Sequence, residues 1–137
     1  MSQYIQHTIE EQDFIGSVSG VLLESSEELD NALNRQKILF DDNLRQILSE
    51  SLPIAFLKNM YVEDEFKNQG YGAELVGLFI DESSGLNANA IILESDEAES
   101  NNFDLTLWYE SFGFEKLKSQ DANPIMIRRH EENKNVH

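Results

Sequence analysis

The sequence predicts an α/β fold in which one mixed β-sheet carries helices on its faces. Three observations predict it. Strand-like and helix-like segments alternate through the middle of the chain as β-α-β-α, the pattern of helices crossing a sheet. Two short β-rich runs precede that stretch and two follow it, giving the order β-β-α(α)-β-α-β-α-β-β. The 137 residues fit one domain, and the 40% hydrophobic content suffices for one core at that length. The expected domain is 1–130, with 131–137 as a loose tail.

Residues 4–9 alternate apolar and polar side chains and read as a strand. After a polar break at 10–13, residues 14–23 read as a second strand, weakened by Gly16 and Gly20, and the two form a hairpin. Ser25 followed by Glu28 is a capping box, so a helix is expected from about Ser26. Leu29, Leu33, Phe40, Leu44 and Ile47 with Leu48 recur at helical spacing, with a break expected near Asp41 and Asp42. The helix stops before Leu52, because a residue preceding proline is pushed out of helical backbone. Pro53 has no amide hydrogen and sits at the start of the next strand, 54–62. Residues 63–69 are polar. Residues 70–81 read as a helix with Leu75, Leu78 and Phe79 on one face. The apolar run 88–93 suits a buried strand, 101–111 a helix ended by Gly113, and 114–117 with 125–128 a terminal hairpin.

Composition narrows the function. The net charge of −16, from 26 acidic against 10 basic residues, repels phosphate backbones and anionic membranes. Neither nucleic acid nor membrane is an expected partner, and a basic substrate is favoured. Without cysteine, thiolate nucleophiles and cysteine-held metals are excluded. His7, His130 and His137 are too scattered to suggest a metal site, so no metal is expected. The first residues have neither a basic nor an apolar leader segment, and a cytoplasmic protein is the expectation.

The most informative stretch runs Val62-Glu63-Asp64-Glu65-Phe66-Lys67-Asn68-Gln69-Gly70-Tyr71-Gly72-Ala73. A strand enters a turn, and the turn opens a helix. The first amides of a helix have no internal partners, and with the helix dipole they form a site for a phosphate or diphosphate. Gly70 and Gly72 lack a β-carbon and allow close approach, and Lys67 adds one positive charge. In so acidic a chain, an anion must be held mainly by backbone amides. The stretch is not a Walker A loop. Nor is it a full dinucleotide fingerprint, because Leu75 stands at the third glycine position.

This stretch resembles motif A of the GNAT superfamily of N-acetyltransferases: Val62, a short loop, then Lys67-Asn68-Gln69-Gly70-Tyr71-Gly72. The departure is Lys67, where the family prefers Arg or Gln. The segment from Asn102 through Tyr109 to Gly113-Phe114 resembles motif B. The resemblance covers roughly 52–129. The family usually begins strand, two helices, then strands, whereas two strands come first here.

The resemblance implies a wedge between two parallel strands, one ending at Val62 and one near Leu93, that holds the pantetheine arm of acetyl-CoA. Backbone groups of Met60, Tyr61 and Val62 would bond that arm, with one amide near Val62 stabilising the oxyanion. The amides of Lys67, Asn68, Gln69, Gly70, Tyr71, Gly72 and Ala73 lie along the diphosphate turn, and Asn102 would orient the arm. Tyr109 stands at the family's general-acid position, and a phenol can protonate a leaving thiolate. Glu94, at a strand end, is the first candidate for the general base, ahead of Glu63. The implied reaction is acetyl transfer from acetyl-CoA to a primary amine of a cationic small molecule or protein. The alternative is an acidic binding module on the same scaffold, bound to a basic protein or mimicking nucleic acid. The first two strands and the helix after Ser25 form either the substrate wall or a homodimer contact.

Overall fold

The computed structural model describes residues 3–96, 104–117 and 123–130. Their order is β1 (Gln3–Glu10), β2 (Phe14–Leu23), α1 (Ser26–Arg35), α2 (Asp42–Ser49), β3 (Ile54–Val62), a 3-10 turn at Asp64–Phe66, α3 (Tyr71–Gly85), β4 (Ala90–Glu94), α4 (Leu105–Glu110), β5 (Glu115–Leu117) and β6 (Ile125–Arg129). The six strands form one mixed sheet in the order β1-β2-β3-β4-β6-β5. The expected tail, 131–137, lies outside the described residues.

Local chemistry explains most boundaries. The Ser25 hydroxyl accepts from the Glu28 amide at 3.2 Å and starts α1. The expected break is real: Lys37 turns left-handed at φ 57, and Asp41 caps α2 through the Leu44 amide at 2.8 Å. Helix α3 runs further than its apolar pattern suggests, to Gly85, and its buried Ser83 is satisfied by donating to the Ile80 carbonyl at 2.9 Å. It stops where Asn87 turns to φ 65. Helix α4 starts later than 101, at Leu105, because Asp104 is extended and caps the Leu107 amide at 2.9 Å.

Each face of the sheet has its own apolar layer. Helix α3 packs Leu75, Val76 and Phe79 onto Val18, Leu57, Ile91 and Leu93, and Tyr109 and Phe114 join this layer. On the other face, Leu29, Leu33, Leu44 and Leu48 of α1 and α2 cover Ile54, Phe56, Ala90, Ile92 and Ile127. Alternation along each strand divides the residues between the two layers.

Gly20 does not merely weaken β2. A β-carbon there would run into the Phe56 carbonyl oxygen and stand 2.8 Å from the Phe79 ring. The position is glycine because the β3 backbone, and then α3, crowd the strand there. No helix among the described residues is long and apolar enough to cross a membrane.

Candidate active site

The sheet is split at its centre. Strands β3 and β4 run parallel but pair over only three rungs, Ile54 with Ala90, Ala55 with Ile91 and Phe56 with Ile92. Beyond them each strand keeps only its outer neighbour. β3 continues against β2 to Val62, and β4 against β6 to Glu94. A register shift between β2 and β3 puts an extra β3 residue at Lys58, because Ser19 faces Asn59 while Gly20 faces Leu57. The bulge bends β3 away just past the last shared rung, leaving an open edge of backbone donors and acceptors over Met60, Tyr61 and Val62.

The turn after β3 ends in an unusual helix start. Asn68 takes φ 65 and Gly70 φ 89, both left-handed, which turns the chain sharply into α3. Helices α1, α2 and α4 each begin with a side-chain cap, from Ser25, Asp41 and Asp104. Helix α3 begins at Gly70 with none. Its first internal bond runs from the Glu74 amide to the Gly70 carbonyl at 3.0 Å. The amides of Tyr71, Gly72 and Ala73 therefore have no partner within the helix and point outward with the positive end of its dipole.

The remaining turn residues are placed as follows. Gln69 donates from Nε2 to the Glu65 carbonyl at 3.2 Å. The Tyr71 hydroxyl donates to Glu11 at 3.4 Å, and its ring meets Phe66 edge-on. The charge expected of Lys67 is not free: Nζ sits 3.0 Å from Asp64 Oδ1. The two glycines differ. A β-carbon on Gly70 would meet nothing within 4 Å, so its backbone angle is what requires glycine. A β-carbon on Gly72 would sit 3.4 Å from the Trp108 indole, an ordinary contact. Alanine therefore fits at 72 within the protein itself. Met60 and Val62 are half-buried against the α3-side layer, while Tyr61 is exposed and stacks on Phe14 at 6.4 Å.

The two proton-transfer candidates belong to opposite faces. Tyr109 is buried in the α3-side layer, in contact with Trp108 and, edge-on, with Phe114. Burial pushes its phenol up to about 12, so it stays protonated and able to donate. Among the described residues its hydroxyl makes no hydrogen bond. Glu94 follows Ala90 and Ile92 in the alternation of β4, which puts it on the α1/α2 side, half-buried at the strand's end. Glu63 is tied to β2 through its amide, which donates to the Ile15 carbonyl at 2.8 Å. Asn102 lies outside the described residues.

Sequence reasoning missed two features. The bulge at Lys58 is set by pairing with β2, and no residue type marks it. The buried hydroxyl pair of Ser95 and Thr106, 3.0 Å apart, ties the end of β4 to α4 beside the split. Ser95 stood in no motif, and Thr106 lies within the motif B segment but at none of its matched positions.

Comparison with known proteins agrees with this geometry. No curated protein matches the chain. Among solved structures, the PaiA N-acetyltransferase of Thermoplasma acidophilum in complex with coenzyme A superposes with a TM-score of 0.63 at 12% identity. That alignment covers 93% of this chain and 62% of that one, so the chain spans under two thirds of that protein's length. A GNAT-family acetyltransferase of Listeria monocytogenes gives a TM-score of 0.64 at 13% identity, over 91% of this chain and 64% of the other. The ribosomal-protein-S18-alanine N-acetyltransferase of Escherichia coli gives 0.60 at 17% identity, over 98% and 75%. At such identities the likeness is one of fold. In sequence, residues 4–114 match the acetyltransferase (GNAT) family, reaching back through the first fifty residues that the two motifs left uncovered. With its sheet split after three parallel rungs and its match to the family over most of its length, this chain belongs to the acetyltransferase (GNAT) family.

Proposed function

We propose that the chain transfers the acetyl group of acetyl-CoA to the primary amine of a cationic acceptor by direct attack. The observation that carries this reading is the bare start of α3, beside the split between β3 and β4. Free amides, a dipole end and glycine at two positions suit a diphosphate in a chain with few cations to offer.

When bound, acetyl-CoA supplies a thioester carbon. The amine nitrogen bonds to it while the carbon–sulfur bond breaks, its electron pair leaving with sulfur. The open edge of β3 from Met60 to Val62 holds the arm as a neighbouring strand would. One amide near Val62, on the β3 edge left open past the last parallel rung, would stabilise the carbonyl oxygen as negative charge grows on it. Tyr109 gives its proton to the departing thiolate, which binds protons more weakly than a buried phenol but accepts one as the carbon–sulfur bond breaks. Glu94, from the opposite face, takes the proton that the neutral amine sheds once its nitrogen has bonded to the thioester carbon. The net charge of −16 raises the local concentration of a cationic acceptor.

A thermal-shift titration tests the first step. Acetyl-CoA should raise the melting temperature with the logarithm of its concentration. Thiol release in the presence of an amine panel tests the second. Absence of any shift with acetyl-CoA and other coenzyme A thioesters would overturn the reading in favour of a binding module.

A further inference from the structure

A cavity of about 440 Å³ lies between α1 and the β1-β2-β3 half of the sheet. Glu28, Asn31 and Arg35 line it from α1, at a spacing that puts them on one side of the helix. Tyr4 and Lys58 line it from the sheet, over an apolar floor. Its volume falls within the range of small-molecule sites.

The charges in it run against those of the whole protein. The chain has 26 carboxylates and 10 Lys and Arg residues, yet the cavity gathers two cations and one carboxylate. Elsewhere Arg45 pairs with Asp30 and Lys67 with Asp64. Among the described residues, Arg35 and Lys58 have no carboxylate partner. Glu28 is already engaged, accepting from the Glu24 amide at 2.9 Å.

The cations are also well placed. Lys58 is the bulge residue, the first past Leu57 where β3 leaves β4. Helix α1 starts close in sequence to the end of β2 and returns along the sheet. Its rise carries Arg35 about 13 Å from Ser26, and β3 carries Lys58 about the same distance from Ile54. Both cations thus sit at a similar height along the sheet, level with the point where β3 and β4 part. The proposed acetyl-CoA grip is on the α3 side of the sheet and this cavity on the α1 side, and Lys58, two positions past the last rung that β3 shares with β4, is where the cavity comes up to the split.

We propose that this cavity seats the acceptor, and that the acceptor carries an acid group beside its amine: an amino acid in the chemical sense. The inference rests on the acetyl-transfer reading and takes its acceptor to be zwitterionic rather than cationic. Arg35 presents a planar fork that matches a carboxylate with two parallel hydrogen bonds, and Lys58 adds a point charge. A zwitterion is not repelled by the acidic surface, since its ammonium offsets its acid group.

The test compares matched acceptors on the full chain: amino acids, their amides, and the corresponding amines lacking the acid group. Thiol release gives kcat/KM for each. Acid-bearing acceptors should exceed their amides by about tenfold or more, and Arg35→Gln and Lys58→Gln should each shrink that ratio by about tenfold. Both side chains are exposed, so the variants should keep the wild-type circular dichroism spectrum. Equal use of amides, or a ratio untouched by both substitutions, overturns the proposal. A parallel thermal-shift series with acetyl-CoA separates the two failures. If stabilisation persists without acid preference, only the acceptor proposal falls. If no coenzyme A thioester stabilises the protein, acetyl transfer falls and the acceptor proposal with it.

Discussion

The hydroxyl of Ser83 lies 2.8 Å from Nε2 of His130, although 47 positions separate the two residues. Nδ1 of the same ring is 3.2 Å from Arg128. A guanidinium can only donate, so Nδ1 accepts, Nε2 carries the hydrogen, and Ser83 passes its own hydrogen to the Ile80 carbonyl. The neutral imidazole thereby ties α3 to the end of β6.

This tie makes stability depend on pH. Burial, and then the charge of Arg128, hold His130 below its ordinary value of 6.5. The unfolded chain therefore takes up the proton first as the pH falls. The contribution is fully present above 6.5 and is lost as the pH drops through the lower folded value. Urea midpoints should fall between about pH 7.5 and 5, and His130→Asn should flatten that part of the profile. Ser83→Ala, which strands the ring nitrogen, should cost about 1–2 kcal/mol near pH 7.5.

Gly70 and Gly72 should separate folding from cofactor binding. Gly70→Ala imposes a side chain at φ 89 and should cost about 1–2 kcal/mol in urea unfolding. Gly72→Ala fits beside Trp108 and removes a glycine from a helix, which should stabilise the protein by up to about 1 kcal/mol. Calorimetry should nevertheless show the Gly72 variant binding coenzyme A about tenfold more weakly, because the added methyl obstructs the diphosphate.

Removing one oxygen from Tyr109 tests the proton donor. Tyr109→Phe should lower turnover by about a hundredfold, with coenzyme A affinity little changed. The melting temperature should hold, since the hydroxyl makes no hydrogen bond among the described residues. With the phenol pushed up to about 12, wild-type activity should rise through the neutral range without an early alkaline fall.

Lys67 should matter less than its place in the motif suggests. Asp64 offsets its charge at 3.0 Å, and both side chains are largely exposed. Lys67→Ala should weaken coenzyme A binding by less than about threefold, whereas Asp64→Asn should strengthen it. A large loss in the first variant would mean that Lys67 leaves Asp64 for the ligand.

The strands, the two-part helix after Ser25 and the turn into α3 were legible because each rests on local chemistry: alternation, a capping box, an aspartate cap, glycine before a helix. The start of α4 was placed early because nothing in Asn101, Asn102 or Phe103 forbids a helix, and only the extended, capping geometry of Asp104 sets the boundary. The bulge at Lys58 was illegible because it depends on how β2 and β3 register. The cavity was illegible for the same reason: Arg35 and Lys58 are far apart in sequence and ordinary in type, and only the path of α1 across the sheet brings them together. The role of Gly20 also needed the tertiary fold, since the carbonyl and ring it makes room for lie on other elements.

The three-rung junction also divides the protein along its length. Everything through Val62 builds the sheet on one side, everything from Ala90 builds it on the other, and the polypeptide crosses between them once, through α3. Two ribbons of consecutive sequence thus meet at a narrow seam. A molecule lodged there would act as a clasp, pinning the ribbons together. Amide hydrogen exchange should reveal it as slower deuterium uptake along β3 and β4 when the clasp is closed, with little change at the outer edge of β1.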